Sequence, residues 1–209
     1  MVKLTIQRLR EILKEINLDP QTAQQYYSRL NRVLKFLNNN TGLKNAGVRE
    51  AGSGAKNTNI RKSDIDIIFC TSSDQNHQTI RIHILEKAKN AFSIVANIKL
   101  GDKAVHIDFI SPKCNFDLVY VTQKKFQEEI KKLKEIIRLR PVQKNAIKLV
   151  KFAIDKSEIR SIKGYEVEKA CLMINSTSLP DSIKKLVKYF KGRIEQKSFT
   201  IDQILFRLK

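Results

Sequence analysis

The chain has 209 residues, 42% of them hydrophobic, with 40 lysines and arginines against 21 acidic residues and a formal net charge of +19. That is enough apolar material for one large domain or two small ones, and it excludes a chain disordered throughout; no apolar run approaches the roughly 18 residues of a membrane span. The positive excess runs through both halves, heavier in the C-terminal one, and points to a polyanionic partner, nucleic acid first.

The opening MVKLTIQRLREILKEI is amphipathic and carries acids, so it reads as part of the fold rather than as a signal or transit peptide. Ile6, Leu9, Ile12, Leu13 and Ile16 recur at helical spacing and predict a helix over about 5–17. Asp19-Pro20 reads as an N-cap followed by proline at the first helical position. Tyr26, Leu30, Val33, Leu34 and Leu37 stripe the second helix, which NNNTG at 38–42 is expected to stop. A short strand, about 47–51, leads into the turn Gly52-Ser53-Gly54, and IDIIFC is the next strand. Residues 77–92 read as a helix. SIVANIKLGDKAVHIDFIS reads as two strands joined at Gly101-Asp102, a hairpin ended by Pro112.

From about 121 onward only helices are expected. Phe126, Ile130, Leu133 and Ile137 stripe one; Pro141 opens another with Val142, Ala146, Leu149, Val150 and Ala153 inward. GYEVEKACLMI, SIKKLVKYF and IDQILFRL are shorter amphipathic pieces, Gly192 ending the middle one. The expected class is α+β: a small mixed sheet with flanking helices over 1–120, then a basic helical lobe over 121–209. The cysteines, Cys70, Cys114 and Cys171, lack paired spacing. A disulfide or zinc framework is not expected, and the compartment is read as intracellular, cytoplasm or nucleus, with no membrane partner.

Asp64-Ile65-Asp66 begins an apolar strand. Side chains at i and i+2 share a strand face, so the two carboxylates point one way and Ile65 and Ile67 the other. Like charges side by side raise each other's pKa. A hard divalent cation such as Mg²⁺ relieves that repulsion and keeps positions open for phosphate. AVHIDFI adds Asp108, with His106, on the face opposite Val105, Ile107 and Phe109. If the two strands pair, three carboxylates share a surface able to hold two metals. Asp108 alone would be an ordinary solvent-facing acid; the combination carries the expectation. Gly52-Ser53, a dozen residues ahead of Asp-x-Asp, supplies turn N–H groups and a hydroxyl that can cradle phosphate.

GS, a ten-residue spacer over 54–63, DID and a later HIDF together resemble the signature of the DNA polymerase beta-like nucleotidyltransferases. The resemblance is to the branch of archaeal-type CCA-adding enzymes, terminal uridylyl and poly(A) polymerases and oligoadenylate synthetases, and covers roughly residues 20–175. Where that branch has small-Arg/Lys-Gly-Thr, this chain has Ala55-Lys56-Asn57-Thr58. Asparagine stands in for glycine there, and it is the residue best able to adopt a left-handed backbone in its stead. Lys62 stands where small residues are common.

The resemblance implies a nucleotidyltransferase palm and a helical lobe. It implies Mg²⁺ or Mn²⁺ held by Asp64, Asp66 and Asp108, and a nucleoside triphosphate contacted by Gly52, Ser53 and Thr58. It further implies a triphosphate lysine from IKLVKFAID: Lys151 matches best, Lys148 lies one turn away, and a solvated lysine is the alternative for either. Tyr165 sits where the family places a base-contacting tyrosine, and equally where a core tyrosine would sit. The implied activity is template-independent transfer of nucleotides to a nucleic-acid 3′ end, RNA more than DNA. Polymerising members carry more C-terminal sequence, so the alternatives are a noncatalytic nucleic-acid-binding subunit relying on protein partners, or a synthase of nucleotide second messengers.

Overall fold

In the computed structural model, residues 5–40, 45–60, 64–111, 113–159 and 161–195 are described. Two compact units emerge: residues 19–56 with 63–134, and residues 1–18 with 57–62 and 135–209. The division is thus not a single cut near residue 120. The first helix and residues 57–62 group with the C-terminal helices, and residues 121–134 group with the sheet.

The sheet unit contains α2 (Pro20–Asn40), β1 (Asn45–Glu50), the single turn α3 (Gly52–Ala55), β2 (Ile65–Thr71), α4 (His77–Phe92), β3 (Ala96–Leu100), β4 (Val105–Phe109), β5 (Cys114–Tyr120) and most of α5 (Gln123–Ile137). The strand order is β1-β2-β5-β4-β3. Only β2 and β5 run parallel; the other neighbouring pairs are antiparallel. Asp19 caps α2 as its sequence suggests, its Oδ1 accepting from Thr22 N at 2.9 Å. The helix ends at Asn40, within the NNNTG stretch expected to stop it; Thr41 and Gly42 lie outside the described residues.

The sheet's two faces differ, because strand alternation sorts odd from even positions. Ile65, Ile67, Phe69, Val105, Ile107, Phe109, Phe116, Leu118 and Tyr120 are buried on one face. A chain of edge-on rings, Phe36–Phe92, Phe92–Phe109 and Phe109–Phe116, ties α2, α4 and the strands together there. On the other face, Ile68, Cys70 and Val119 pack with Phe126 and Ile130 of α5. Asp66 and Asp117 precede those apolar positions on the same face, and both are only half-buried. The apolar pattern thus runs out at the end of β2 and β5 where the acids begin.

Among the described residues the regular elements of the second unit are helices: α1 (Ile6–Ile16), α6 (Pro141–Lys156), α7 (Gly164–Met173), α8 (Leu179–Tyr189) and α9 (Lys191–Glu195). Ala146, Ile147, Leu149, Val150, Ala153 and Ile154 of α6 are all buried, in one cluster with Leu9, Ile12, Leu13 and Ile16 of α1, Val167 and Ala170 of α7, and Ile183, Leu186 and Val187 of α8. Burial around most of α6 is the pattern of a helix surrounded by others rather than lying on a surface. Gly192 lies within α9, and IDQILFRL lies outside the described residues. Among the described residues no helix is long and apolar enough to cross a membrane.

β5 is the main departure from expectation. CNFDLVY alternates apolar and polar residues as a strand should, yet it lies where only the hairpin's end and the start of helices were expected. It inserts between β2 and β4, so those two strands do not pair.

Candidate active site

The inserted strand rearranges the acids. Asp66 of β2 lies opposite Asp117 of β5, and Asp117 lies opposite His106 of β4. One step back along the strands, Asn115 lies opposite Asp108, and Asn115 Nδ2 donates to Asp64 Oδ1 at 3.1 Å. Alternation puts all six side chains on one face. They form two rows: Asp66–Asp117–His106, and Asp64–Asn115–Asp108. Adjacent strands are about 4.8 Å apart, so Asp117 is the acid beside Asp66. Asp108 stands two strands from β2, about 9–10 Å away by the same spacing. Asp64, Asp66 and Asp117 are therefore the acids on neighbouring strands; the expected pairing of β2 with the strand of Asp108 does not occur, and Asp108 stands further out. Asp117 was legible in principle: NFDLVY repeats the apolar-Asp-apolar pattern of DIDIIF. What hid it was the parallel pairing, which has no local turn to announce it.

Among the described residues, no three histidine, cysteine or acidic side chains stand close enough to form a ready-made metal cage. The donor set nevertheless fits a hard cation: three carboxylates on one face, two of them level on adjacent strands. Asn115 adds a buried Oδ1 with no hydrogen-bond partner.

The turn before β2 is shaped around one of these acids. Gly52 has φ +60°, and a Cβ on it would lie 1.8 Å from Asp66 Oδ2. The main chain is pinned alongside, Ala51 N donating to the Asp66 carbonyl at 2.7 Å. Gly52 is therefore required twice, by its backbone angle and by the carboxylate lying over it. Ser53 follows in α3. Beneath the turn, Tyr26 Oη donates to Glu50 Oε1 at 2.8 Å, and a Cβ on Gly54 would lie 2.4 Å from that same oxygen. Burial holds the Glu50 carboxyl above its ordinary value, the Tyr26 hydrogen bond only partly offsetting this. Burial, and then Glu50, push the Tyr26 hydroxyl well up.

The remaining expected residues belong to the helical unit. Asn57 has φ +54°, the left-handed backbone expected of it. Thr58 is fully buried and its hydroxyl donates to Glu168 Oε1 at 2.6 Å. Lys151 Nζ lies 2.6 Å from the same Glu168 oxygen and donates to Thr58 O and Oγ1 at 3.4 and 3.3 Å. It does not lie on an outward face. Lys148 Nζ donates to Asn17 Oδ1 at 2.8 Å and Asn57 Oδ1 at 3.1 Å, two neutral acceptors. Burial, then the neighbouring Lys144 and Lys151 ammoniums, push Lys148 below its ordinary value. Tyr165 is 57% exposed, with Lys169 Nζ 5.7 Å from its ring centre; the core alternative for this tyrosine is excluded. Lys62 and Ser63 lie outside the described residues.

No protein-family model and no curated protein matches the sequence. Solved structures do. CdnC of E. coli MS115-1, solved with ATP, superposes with a TM-score of 0.72 at 14% identity over 90% of this chain and 72% of that one. The Cid1 poly(U) polymerase with Mg 3′-dATP bound gives 0.69 at 13% identity over 88% and 72%. The CdnE cyclic dinucleotide synthase of Elizabethkingia meningoseptica, with GTP and Apcpp, gives 0.62 at 12% identity over 92% and 97%. All are polymerase beta-like nucleotidyltransferases, and the chain has their fold.

Two predictions follow from the polar contacts. Lys151→Met removes the ammonium 2.6 Å from Glu168, whose side chain is 4% exposed, and is expected to cost about 3–5 kcal/mol in urea denaturation, the usual cost of breaking a buried ion pair from one side. Lys151→Met combined with Glu168→Leu is expected to recover most of that loss, since both charges of the pair are then replaced. For Glu50, a folded-state value raised above 4.5 means that the folded protein holds the proton more tightly than the unfolded chain. Its contribution is present below the unfolded value and is lost as pH rises through the folded one. Denaturation midpoints from pH 4 to 8 should therefore show Glu50→Gln gaining on the wild type as pH increases.

Proposed function

We propose that this protein is a nucleotidyltransferase that transfers a nucleotide from a nucleoside triphosphate to the 3′-hydroxyl of an RNA strand. The observation that carries the reading is the level pairing of Asp66 with Asp117, Asp64 on the same face, and the Asp66 carboxylate seated over Gly52. Acids gathered beside a glycine-serine turn suit a substrate whose own charge is negative only when a cation lies between them.

Asp64, Asp66 and Asp117 are the residues that would hold Mg²⁺ or Mn²⁺. When bound, the ion neutralises phosphate charge and lowers the acceptor hydroxyl's pKa. Gly52, lacking a side chain, lets the Asp66 carboxylate close against the turn. Ser53 offers a hydroxyl, and the turn its N–H groups, to phosphate oxygens. The lysine-rich surface grips the acceptor backbone, so RNA affinity falls steeply with salt. In the reaction the 3′ oxygen bonds to the α-phosphorus, the bond to the bridging oxygen breaks, pyrophosphate leaves with that electron pair, and the hydroxyl proton passes to water. Positioning and charge neutralisation supply most of the rate.

A second reading, a nucleic-acid-binding subunit without transfer activity, is favoured by one observation. Lys151, the lysine best matched to the triphosphate role, is ion-paired with Glu168.

An extension assay with labelled triphosphates, an RNA primer and Mg²⁺ or Mn²⁺ separates the two readings. Transfer is expected from the wild type. Asp66→Asn and Asp117→Asn are expected to lose more than about 100-fold, beyond the usual cost of an outer-shell change at a metal site. Asp108→Asn should stay within about tenfold, the lower end of that range. Asp66→Asn should bind RNA as the wild type does. No transfer with any triphosphate leaves the subunit reading, and soluble products formed without primer identify a small-molecule synthase instead.

A further inference from the structure

His106 Nδ1 lies 2.6 Å from Asp117 Oδ1. A carboxylate at that distance only accepts, so Nδ1 carries the proton and donates it. The imidazole is itself wedged. A Cβ on Gly101 would lie 2.1 Å from His106 Nε2, so the glycine of the β3–β4 turn packs directly against the ring. That turn is held in place from α4: Arg81 Nη1 donates to Gly101 O at 2.8 Å and also to Asp102 O, while Gly101 N donates to Ala104 O at 2.9 Å. A continuous line of contacts therefore runs from Arg81 through the glycine turn and the imidazole to the carboxylate beside Asp66.

We propose that His106 is a positioning residue, which, braced by the Gly101 turn, holds Asp117 by one carboxylate oxygen and commits the other to a divalent cation. The proposal rests on the reading of Asp117 as a cation-holding acid. Three features support it. The His106 side chain is 38% exposed and that of Asp117 27%, so burial does not force the pairing. The two residues are directly opposite in the antiparallel register, which fixes the ring on the site's face. Gly101 is required by the ring rather than by its backbone angle, since a side chain there would evict the imidazole. Fixing a ligand's orientation from outside is worth 10–100-fold in affinity at known metal sites.

The test is Mn²⁺ binding to the purified full chain, read by electron paramagnetic resonance of the free ion, with melting temperature measured in parallel without metal. His106→Ala is expected to weaken Mn²⁺ binding by about tenfold or more. His106→Asn, whose amide nitrogen can take the Nδ1 position, should stay within about threefold of the wild type by keeping that donor. Gly101→Ala is expected to weaken binding as His106→Ala does, and to add less than about twofold on the His106→Ala background, because the two changes act through one contact. Gly101→Ala keeps the test decisive even where His106→Ala melts early. Wild-type affinity in His106→Ala, with binding lost in Asp117→Asn, overturns the proposal and leaves the cation site standing. Asparagine failing as badly as alanine, or full additivity of the two changes, overturns it as well. Binding unaffected by Asp66→Asn and Asp117→Asn, or absent in the wild type, overturns both the proposal and the reading beneath it.

Discussion

The parallel pairing of β2 with β5 is the constraint on which the acidic face depends. It sets Ile67 level with Leu118 on the buried face, and the same register sets Asp66 level with Asp117 on the other. A slip of one residue would turn the aspartates into the core and the isoleucines out of it. The cost of that slip is borne by the apolar face, which α2 and α4 cover. The hydrophobic core therefore fixes the spacing of the acids, and no contact between the acids themselves is needed. Two carboxylates held level repel each other, and the sheet can impose the arrangement because its opposite face is so well packed.

The residues around this face supply orientation in a similar indirect way. Asp66 is held by its main chain through Ala51 and is given room by the missing side chain of Gly52. Asp117 is met by an imidazole braced on Gly101. In both cases a glycine is required because a neighbouring polar side chain occupies the volume its Cβ would fill. A turn glycine chosen only for its backbone would not show such an overlap, and Gly192, with nothing within 4 Å of its Cβ position, is the contrast within the same chain.

Much of this was legible in the amino-acid sequence, and what was not has physical causes. α1, α4, the β3–β4 hairpin and α7 follow from periodicity and turn chemistry, which are local. That Gly52-Ser53 forms a turn ahead of a strand carrying Asp66 was legible because a glycine turn and alternating acids are local patterns as well. The place of Asp117 beside Asp66 was missed because it comes from a parallel partner about fifty residues away, a pairing no turn residue signals. Asp108 was expected beside β2 because it belonged to the recognisable hairpin. Lys148 and Lys151 were read as triphosphate lysines or solvated ones, and neither reading anticipates their burial within the helical unit. Charged residues are rarely buried unless paired, and the partners that admit them, Asn17, Asn57 and Glu168, come from three separate places in the chain.

Those buried lysines bear on how the large positive charge is to be understood. Lys151 is neutralised by Glu168 and Lys148 is stabilised only by amide oxygens, so neither adds simply to a surface field. Their bonds to Asn57 and Thr58 instead tie the segment that follows the glycine-serine turn into the helical unit's own interior. The left-handed angle at Asn57 is then maintained by Lys148 as well as by asparagine's own tolerance for it. The charge that remains outside, lysines such as Lys184 and Lys188 along α8, is of the kind that attracts a phosphate backbone from a distance and releases it as salt rises. Long-range attraction and local geometry thus fall to different lysines. A polyanion drawn to the basic surface would still be repelled by Asp64, Asp66 and Asp117, and in the proposed reaction a cation between those acids and a phosphate would turn this local repulsion into binding.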